Sequence, residues 1–217
     1  MKALVDNDII FKGACYGLLD AFLAPISVAD DSFGVLGAAR FVVSKKIIRK
    51  APHKGIAAAH EHLATFLGRA AIVEPTEDEQ RMAAEFELAA QRAGLGFDAG
   101  ESQLCSILIC RSTPLLLTGD KKAIQAIEQL LDSESRLVAL CGKIRCLEQL
   151  VLEIFSASPN PDALRTAICA EVEVDKTLTI CFSCHREDGS GLDYAEGLKS
   201  YLTDLQRRAT RVLGTFI

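Results

Sequence analysis

Four carboxylates in this chain stand where acids can do chemistry. Asp6 closes the short apolar run Ala3 to Val5, and Asp120 closes the run Leu115 to Leu117 by way of Thr118 and Gly119. Asp98 and Glu101 open the helical stretch through Leu104, Ile107 and Leu108 that feeds the second run. If both runs are strands of one parallel sheet, both acids fall at its carboxyl edge, where open α/β sheets bind ligands. Carboxylates brought together from distant positions repel one another, and a cation relieves that repulsion. Donor sets made only of oxygen suit Mg²⁺ or Mn²⁺. An ion held there activates water and offsets the charge that develops on a phosphodiester during hydrolysis.

The elements that must position these acids alternate. Ala3 to Val5 reads as a strand and Ile9 to Phe22 as a helix, with Pro25 breaking the chain before a short strand at Ile26 to Ala29. Phe33 to Ile48 and Ile56 to Leu67 have helical patterns, and Ala71 to Val73 reads as an edge strand. Thr76-Glu-Asp-Glu79 is a capping box opening a helix whose buried stripe is Met82, Ala83, Phe86, Ala89 and Ala90. After the Leu115 strand come a helix over Ala123 to Leu131, a strand over Leu137 to Leu140 and a helix over Ile144 to Phe155. Pro159-Asn-Pro161 marks a linker. The expected organisation is an α/β domain over residues 1–157, a parallel sheet flanked by helices, followed by a mainly helical extension over residues 158–217. The last helix, about 192–213, places Tyr194, Leu198, Tyr201, Leu205, Ala209 and Val212 on one face.

Composition narrows the classes. Of 217 residues 49% are hydrophobic and 24% charged, enough apolar surface for a core and too much for a disordered chain. The apolar runs fall far short of the roughly 18 residues of a membrane span. Asp6 and Asp8 interrupt the one stretch that could have served as a secretion signal, so the expected location is the cytoplasm, without membrane attachment. In that setting the eight cysteines read as reduced, mostly buried thiols. Cys181-Phe-Ser-Cys184-His185 has the spacing of a zinc half-site or a haem attachment, but no second pair at metal spacing completes a zinc site.

Each acid also has a plainer explanation. Asp98 and Glu101 have N-cap to N3 spacing, and Asp120 can cap the helix that begins at Lys121. Asp6 is harder to explain as a cap, because Asn7 or Asp8 would serve equally well. A net charge of −5 requires any affinity for nucleic acid to reside in a local patch. Lys45, Lys46, Arg49 and Lys50, followed by His53 and Lys54, form one that would grip phosphates without reading bases. The plainer reading of that run is a solvated helix face. His60 and His62 are two apart on a helix, on different faces, and make a poor metal pair.

The segments LVDNDII, FDAGESQLCSILI and PLLLTGDKKAI, in this order, resemble the PIN-domain nucleases, metal-dependent enzymes that mostly cut RNA; the resemblance covers about residues 1–145. It implies a metal-dependent ribonuclease in which Asp6, Glu101 and Asp120 are catalytic and hold Mg²⁺ or Mn²⁺, with Thr118 beside Asp120; Asp98 is expected to join the metal ligands and Thr118 the residues that contact RNA. The remaining family acid has no clean counterpart; Asp30 and Asp31 come close. That gap keeps open a PIN-like binding or assembly module without catalysis. Asp6-Asn-Asp8 after a strand also resembles haloacid-dehalogenase-like phosphatases, with Asp6 as nucleophile. RNA, a second copy of the chain and a small antitoxin-like protein are the partners these readings imply.

Overall fold

The computed structural model describes residues 1–26, 33–158, 160–186 and 194–214. Along the chain lie β1 (Ala3–Val5), α1 (Asn7–Tyr16), α2 (Leu19–Leu23), β2 (Phe33–Leu36), α3 (Ala39–Lys50), α4 (Ile56–Leu67) and β3 (Ala71–Val73). Then follow α5 (Glu77–Arg92), α6 (Ala99–Arg111), β4 (Leu115–Thr118), α7 (Lys121–Leu130), β5 (Ile144–Cys146) and α8 (Leu147–Ala157). The extension contributes α9 (Pro161–Cys169), α10 (Lys176–Cys181) and α11 (Tyr194–Arg208).

Among the described residues the strands form one five-stranded sheet in the order β3-β2-β1-β4-β5, and every pair is parallel. In register, Ala3 stands opposite both Phe33 and Leu115, and Leu117 opposite both Val5 and Arg145. Helices cover both sides of a parallel sheet, so its central strands are apolar throughout and do not alternate. All of β1 and β2 is buried accordingly. The chain moves outward from β1 to β3, then returns to the other side of β1 for β4 and β5. Right-handed crossovers in opposite directions put α1 to α4 on one face and α5 to α7 on the other. The strand order reverses between β1 and β4, and there the two strand ends leave a crevice.

The expected α/β class is present, and several boundaries differ. Gly17, at φ 70°, caps α1 in the left-handed region and splits the expected helix over Ile9 to Phe22 into α1 and α2. Phe33 to Leu36 and Ile144 to Cys146 are strands, not helix starts, because a short buried apolar run fits either element and its partner strands decide. Leu137 to Leu140 lies in a 3₁₀ helix (Ser135–Leu140) instead of a strand. The strand expected at Ile26 to Ala29 lies outside the described residues except for Ile26, which is in a turn. The last helix ends at Arg208, yet Ala209 and Val212 are buried as expected. The capping box at Thr76 and Glu79 is present on both sides.

The extension is welded to the α/β body and shares its core, through Leu164, Ile168, Leu178, Phe182 and Leu198 among others. Polar seams add to this. Glu171, 1% exposed, accepts hydrogen bonds from the backbone amides of His53 at 2.7 Å and Lys54 at 2.6 Å. Glu128 of α7 accepts from the amides of Arg211 and Val212, and Leu213 bridges to Ile144 beside β5. A disulfide joins Cys169, at the end of α9, to Cys184 in the turn after α10. The cysteines of the Cys-x-x-Cys-His segment are therefore not a pair: Cys184 is bonded to Cys169, Cys181 is a free thiol and His185 is exposed. The reading of all thiols as reduced is corrected at this one bond, whose distant partner is delivered by the packing of α9 on α10.

Replacing Glu171 with Ala leaves two amides without their buried acceptor and is expected to destabilise the fold by about 1–3 kcal/mol. Thermal denaturation followed by circular dichroism should show a melting temperature lower by several degrees; an unchanged melting temperature would mean that this seam contributes nothing.

Candidate functional site

At the reversal point the chain forms a cleft of about 580 Å³ lined by Asp6, Asp8, Lys46, Asp98, Glu101 and Asp120, with Leu36, Ala38 and Val42 on one wall. A slightly larger groove, about 630 Å³, runs between α8 and α11, but it contains none of the strand-end acids.

Asp6 directly follows β1 and caps α1, its Oδ2 accepting from the Asp8 amide at 3.4 Å and from the Thr118 hydroxyl at 3.2 Å. The reading of Asp6 as hard to explain by capping is corrected: Asp6 is the cap of α1 and also faces the cleft. Asp120 caps α7, its Oδ1 accepting from the amides of Lys122 at 2.7 Å and Ala123 at 3.0 Å. Each carboxylate thus spends one oxygen on backbone and keeps the other. Capping and ligand binding are compatible here.

Thr118 connects the two acids. Its hydroxyl donates to Asp6 and accepts from the Asp120 amide at 3.1 Å, and the residue is 1% exposed. The buried hydroxyl thereby orients Asp6 and Asp120 relative to each other.

Glu101 and Asp98 come from the start of α6. Asp98 occupies the N-cap position but its side chain makes no capping hydrogen bond, and among the described residues Glu101 has no hydrogen-bond partner beyond its own backbone amide. Of the four acids, these two are not anchored by a helix cap. Burial, reinforced by the charges of Asp6, Asp120 and Asp98, raises the Glu101 carboxyl to about 8. Burial, reinforced by Asp8, raises the Asp6 carboxyl to about 6, against the hydrogen bonds from the Asp8 amide and Thr118. Among the described residues, no group of three or more His, Cys, Asp and Glu side chains is arranged to hold a metal ion. Asp30 and Asp31 lie outside those residues.

A second set of charges runs from the cleft wall, at Asp8 and Lys46, into the extension, and sequence reasoning missed most of it. Asp8 pairs with Lys12 and with Lys46 at 2.8 Å. Lys12 reaches Asp175 of the extension at 2.6 Å, and Lys121 faces the wholly buried Glu148 at 2.6 Å and Asp175 at 3.9 Å. Burial would raise the Asp8 and Asp175 carboxyls, but the neighbouring lysines outweigh it and hold both below the usual range. Gly119 admits this packing, because a Cβ there would strike the Asp8 carboxylate and crowd the Lys12 ammonium. The available signals were the i, i+4 pairing of Asp8 with Lys12 and the lysine next to Asp120; nothing local announced Glu148 or Asp175.

The basic segment divides in two. Lys45, Arg49 and Lys50 are exposed, and Lys50 reaches only the Glu173 carbonyl at 3.4 Å. Lys46 faces the cleft, is neutralised by Asp8 and lies over the Phe11 ring at 4.5 Å, so it is not a free cation on the outer face. Lys54 donates to the Tyr16 carbonyl at 2.9 Å. His60 and His62 have separate partners, Ser44 and the Ala14 carbonyl, as expected for residues on different faces.

The chain matches no protein-family model, no curated protein and no solved structure. No helix among the described residues is long and apolar enough to cross a membrane.

The raised acids make stability depend on pH in a defined direction. Between the ordinary 4.5 and about 8 for Glu101, and between 3.8 and about 6 for Asp6, the folded chain binds more protons than the unfolded one. Stability therefore falls as pH rises through this window. In a chelating buffer the melting temperature should drop between pH 5 and pH 8. Glu101→Gln should flatten the drop and stabilise the chain at pH 8 by about 1 kcal/mol or more. A melting temperature of this variant equal to or below wild type at pH 8 would refute the crowding of charge at Glu101.

Proposed function

We propose that this chain is a PIN-like, metal-dependent ribonuclease, with Asp6, Glu101 and Asp120 as its catalytic acids and Asp98 as an auxiliary ligand. The observation that carries the reading is the convergence of these four carboxylates, from three separate stretches of sequence, on one cleft at the reversal point of a parallel sheet. Two of them hold protons far more tightly than a carboxyl in water. Such perturbation is typical of sites built to bind a cation or move a proton.

The donor set fits Mg²⁺ or Mn²⁺ by its chemistry, being all carboxylate oxygen with surplus negative charge. When bound, the ion supplies an activated water and offsets charge on the scissile phosphate. The protein's own share is placement. Caps and the Thr118 hydroxyl fix Asp6 and Asp120, while the unanchored Glu101 and Asp98 supply the rotamer freedom needed to close the donor set. Lys46 stands at the wall of the cleft, and Lys45 and Arg49 continue from it along α3. An RNA strand following that face would place its flanking phosphates on Lys45 and Arg49, since Lys46 is paired with Asp8.

A phosphatase using Asp6 as nucleophile is less well supported, because Asp6 is 3% exposed and its Oδ2 is engaged by the Asp8 amide and Thr118. A binding module without catalysis is favoured by one observation, that no three described acids yet enclose an ion.

Asp6→Asn and Asp120→Asn keep a side-chain oxygen for the cap and remove only charge. Each is expected to reduce Mn²⁺-stimulated RNA cleavage at least about 100-fold while leaving the circular dichroism spectrum unchanged. Cleavage near the wild-type rate by both would remove the catalytic site from this cleft. Absent cleavage by a wild-type chain that still binds RNA would favour the binding module.

Neutralising Lys45, Arg49 and Lys50 together should weaken RNA binding similarly across sequences and lower the log-log salt slope by about 0.7 for each phosphate that is no longer neutralised. An unchanged slope would assign the run to a solvated helix face.

A further inference from the structure

The two best-anchored acids of the cleft sit at the starts of two helices, Asp6 at α1 and Asp120 at α7. Both helices carry a lysine into the space behind the cleft. Lys12 lies one and a half turns into α1 and is 7% exposed, and Lys121 is the first residue of α7. Two ammonium groups held there repel, each within the other's field. Asp175, 7% exposed, accepts from both sides of that gap: its Oδ2 is 2.6 Å from the Lys12 ammonium and 3.9 Å from that of Lys121.

Asp175 does not belong to the α/β body. It caps α10 of the extension through its Oδ1, which accepts from the Leu178 amide at 2.8 Å, so its carboxylate is oriented before it meets the lysines. It also lies within the loop closed by the Cys169–Cys184 disulfide, as does Glu171, which ties the same loop to the amides of His53 and Lys54. The charges balance in this pocket: Asp8, Glu148 and Asp175 against Lys12, Lys46 and Lys121.

We propose that Asp175 is a positioning residue of the cleft, by which the C-terminal extension clamps Lys12 of α1 to Lys121 of α7 and so sets the separation of Asp6 and Asp120. The inference rests on the reading of those acids as cation ligands. Without the Asp175 charge, two buried ammonium groups share one fewer counter-ion, which favours moving α1 and α7 apart where they carry Lys12 and Lys121 and strains the Thr118 link between Asp6 and Asp120. A divalent ion tolerates little error in ligand separation, so the cost appears first in its affinity.

The test is Mn²⁺ binding to the full chain by isothermal titration calorimetry, with thermal denaturation in chelator as a companion. Asp175→Asn keeps the cap acceptor and is expected to fold, to weaken Mn²⁺ binding at least tenfold and to shrink the Mn²⁺-induced rise in melting temperature. Asp175→Glu keeps the charge but displaces it by one methylene, and is expected to bind Mn²⁺ about threefold more weakly than wild type. A folded Asp175→Asn chain with wild-type Mn²⁺ affinity overturns the proposal, leaving Asp175 as an anchor of the extension alone. If the Asn variant fails to fold, wild-type affinity in the Glu variant overturns it instead. A wild-type chain that binds no Mn²⁺ sinks the cation site and this inference together, whereas wild-type binding with unaltered variants sinks only the inference.

Discussion

Charge taken out of water at the carboxyl edge of the sheet has to be balanced nearby, and most of this structure can be read from how that is done. β1 and β4 lie side by side in the core, and each is followed by an acid and then a helix. Their buried ends cannot be solvated from the sheet side. Backbone amides at the helix starts and the Thr118 hydroxyl satisfy one oxygen of each strand-end acid. Lysines from the same helices neutralise the acids one layer back.

This separates the carboxylates of the region into two kinds. Asp8 and Asp175 face ammonium groups and are held ionised, as closed ion pairs should be. Burial, reinforced by neighbouring carboxylates, raises the Asp6 and Glu101 carboxyls instead. A structural network satisfies its members and leaves no surplus charge, whereas a ligand site retains an imbalance for the ligand to correct. Among the described residues, the unpaired carboxylates of the cleft are Asp6, Asp98, Glu101 and Asp120, while Asp8, Glu148 and Asp175 are paired with lysines.

The extension belongs to the balanced side. It buries apolar side chains in the same core as the sheet and sends Glu171 and Asp175 into the body from one disulfide-closed loop. Such a loop has few conformations to lose on docking, which favours two directed contacts over a larger, looser interface. The described residues after 158 thus follow the sheet in sequence and share its core in space.

The α/β class, the strand-end acids, the capping box and the buried stripe of α5 were all legible in the sequence, because each is written within one helical turn or one strand. Asp6, Asp98, Glu101 and Asp120 could be singled out for the same reason: their positions relative to apolar runs are local. The strand nature of Phe33 to Leu36 and Ile144 to Cys146 was not legible, since a buried strand and a buried helix turn have the same composition until a neighbouring strand supplies hydrogen bonds. Nor was the division of labour among the charges. Lys46 reads as one cation in a basic run until Asp8 is found 2.8 Å away, and Asp175 reads as a helix cap until two lysines from distant helices meet it. Composition and spacing determined which groups were available; the tertiary structure decided which of them would be neutralised, because the energy of a buried charge depends on neighbours that the chain brings together only when it folds.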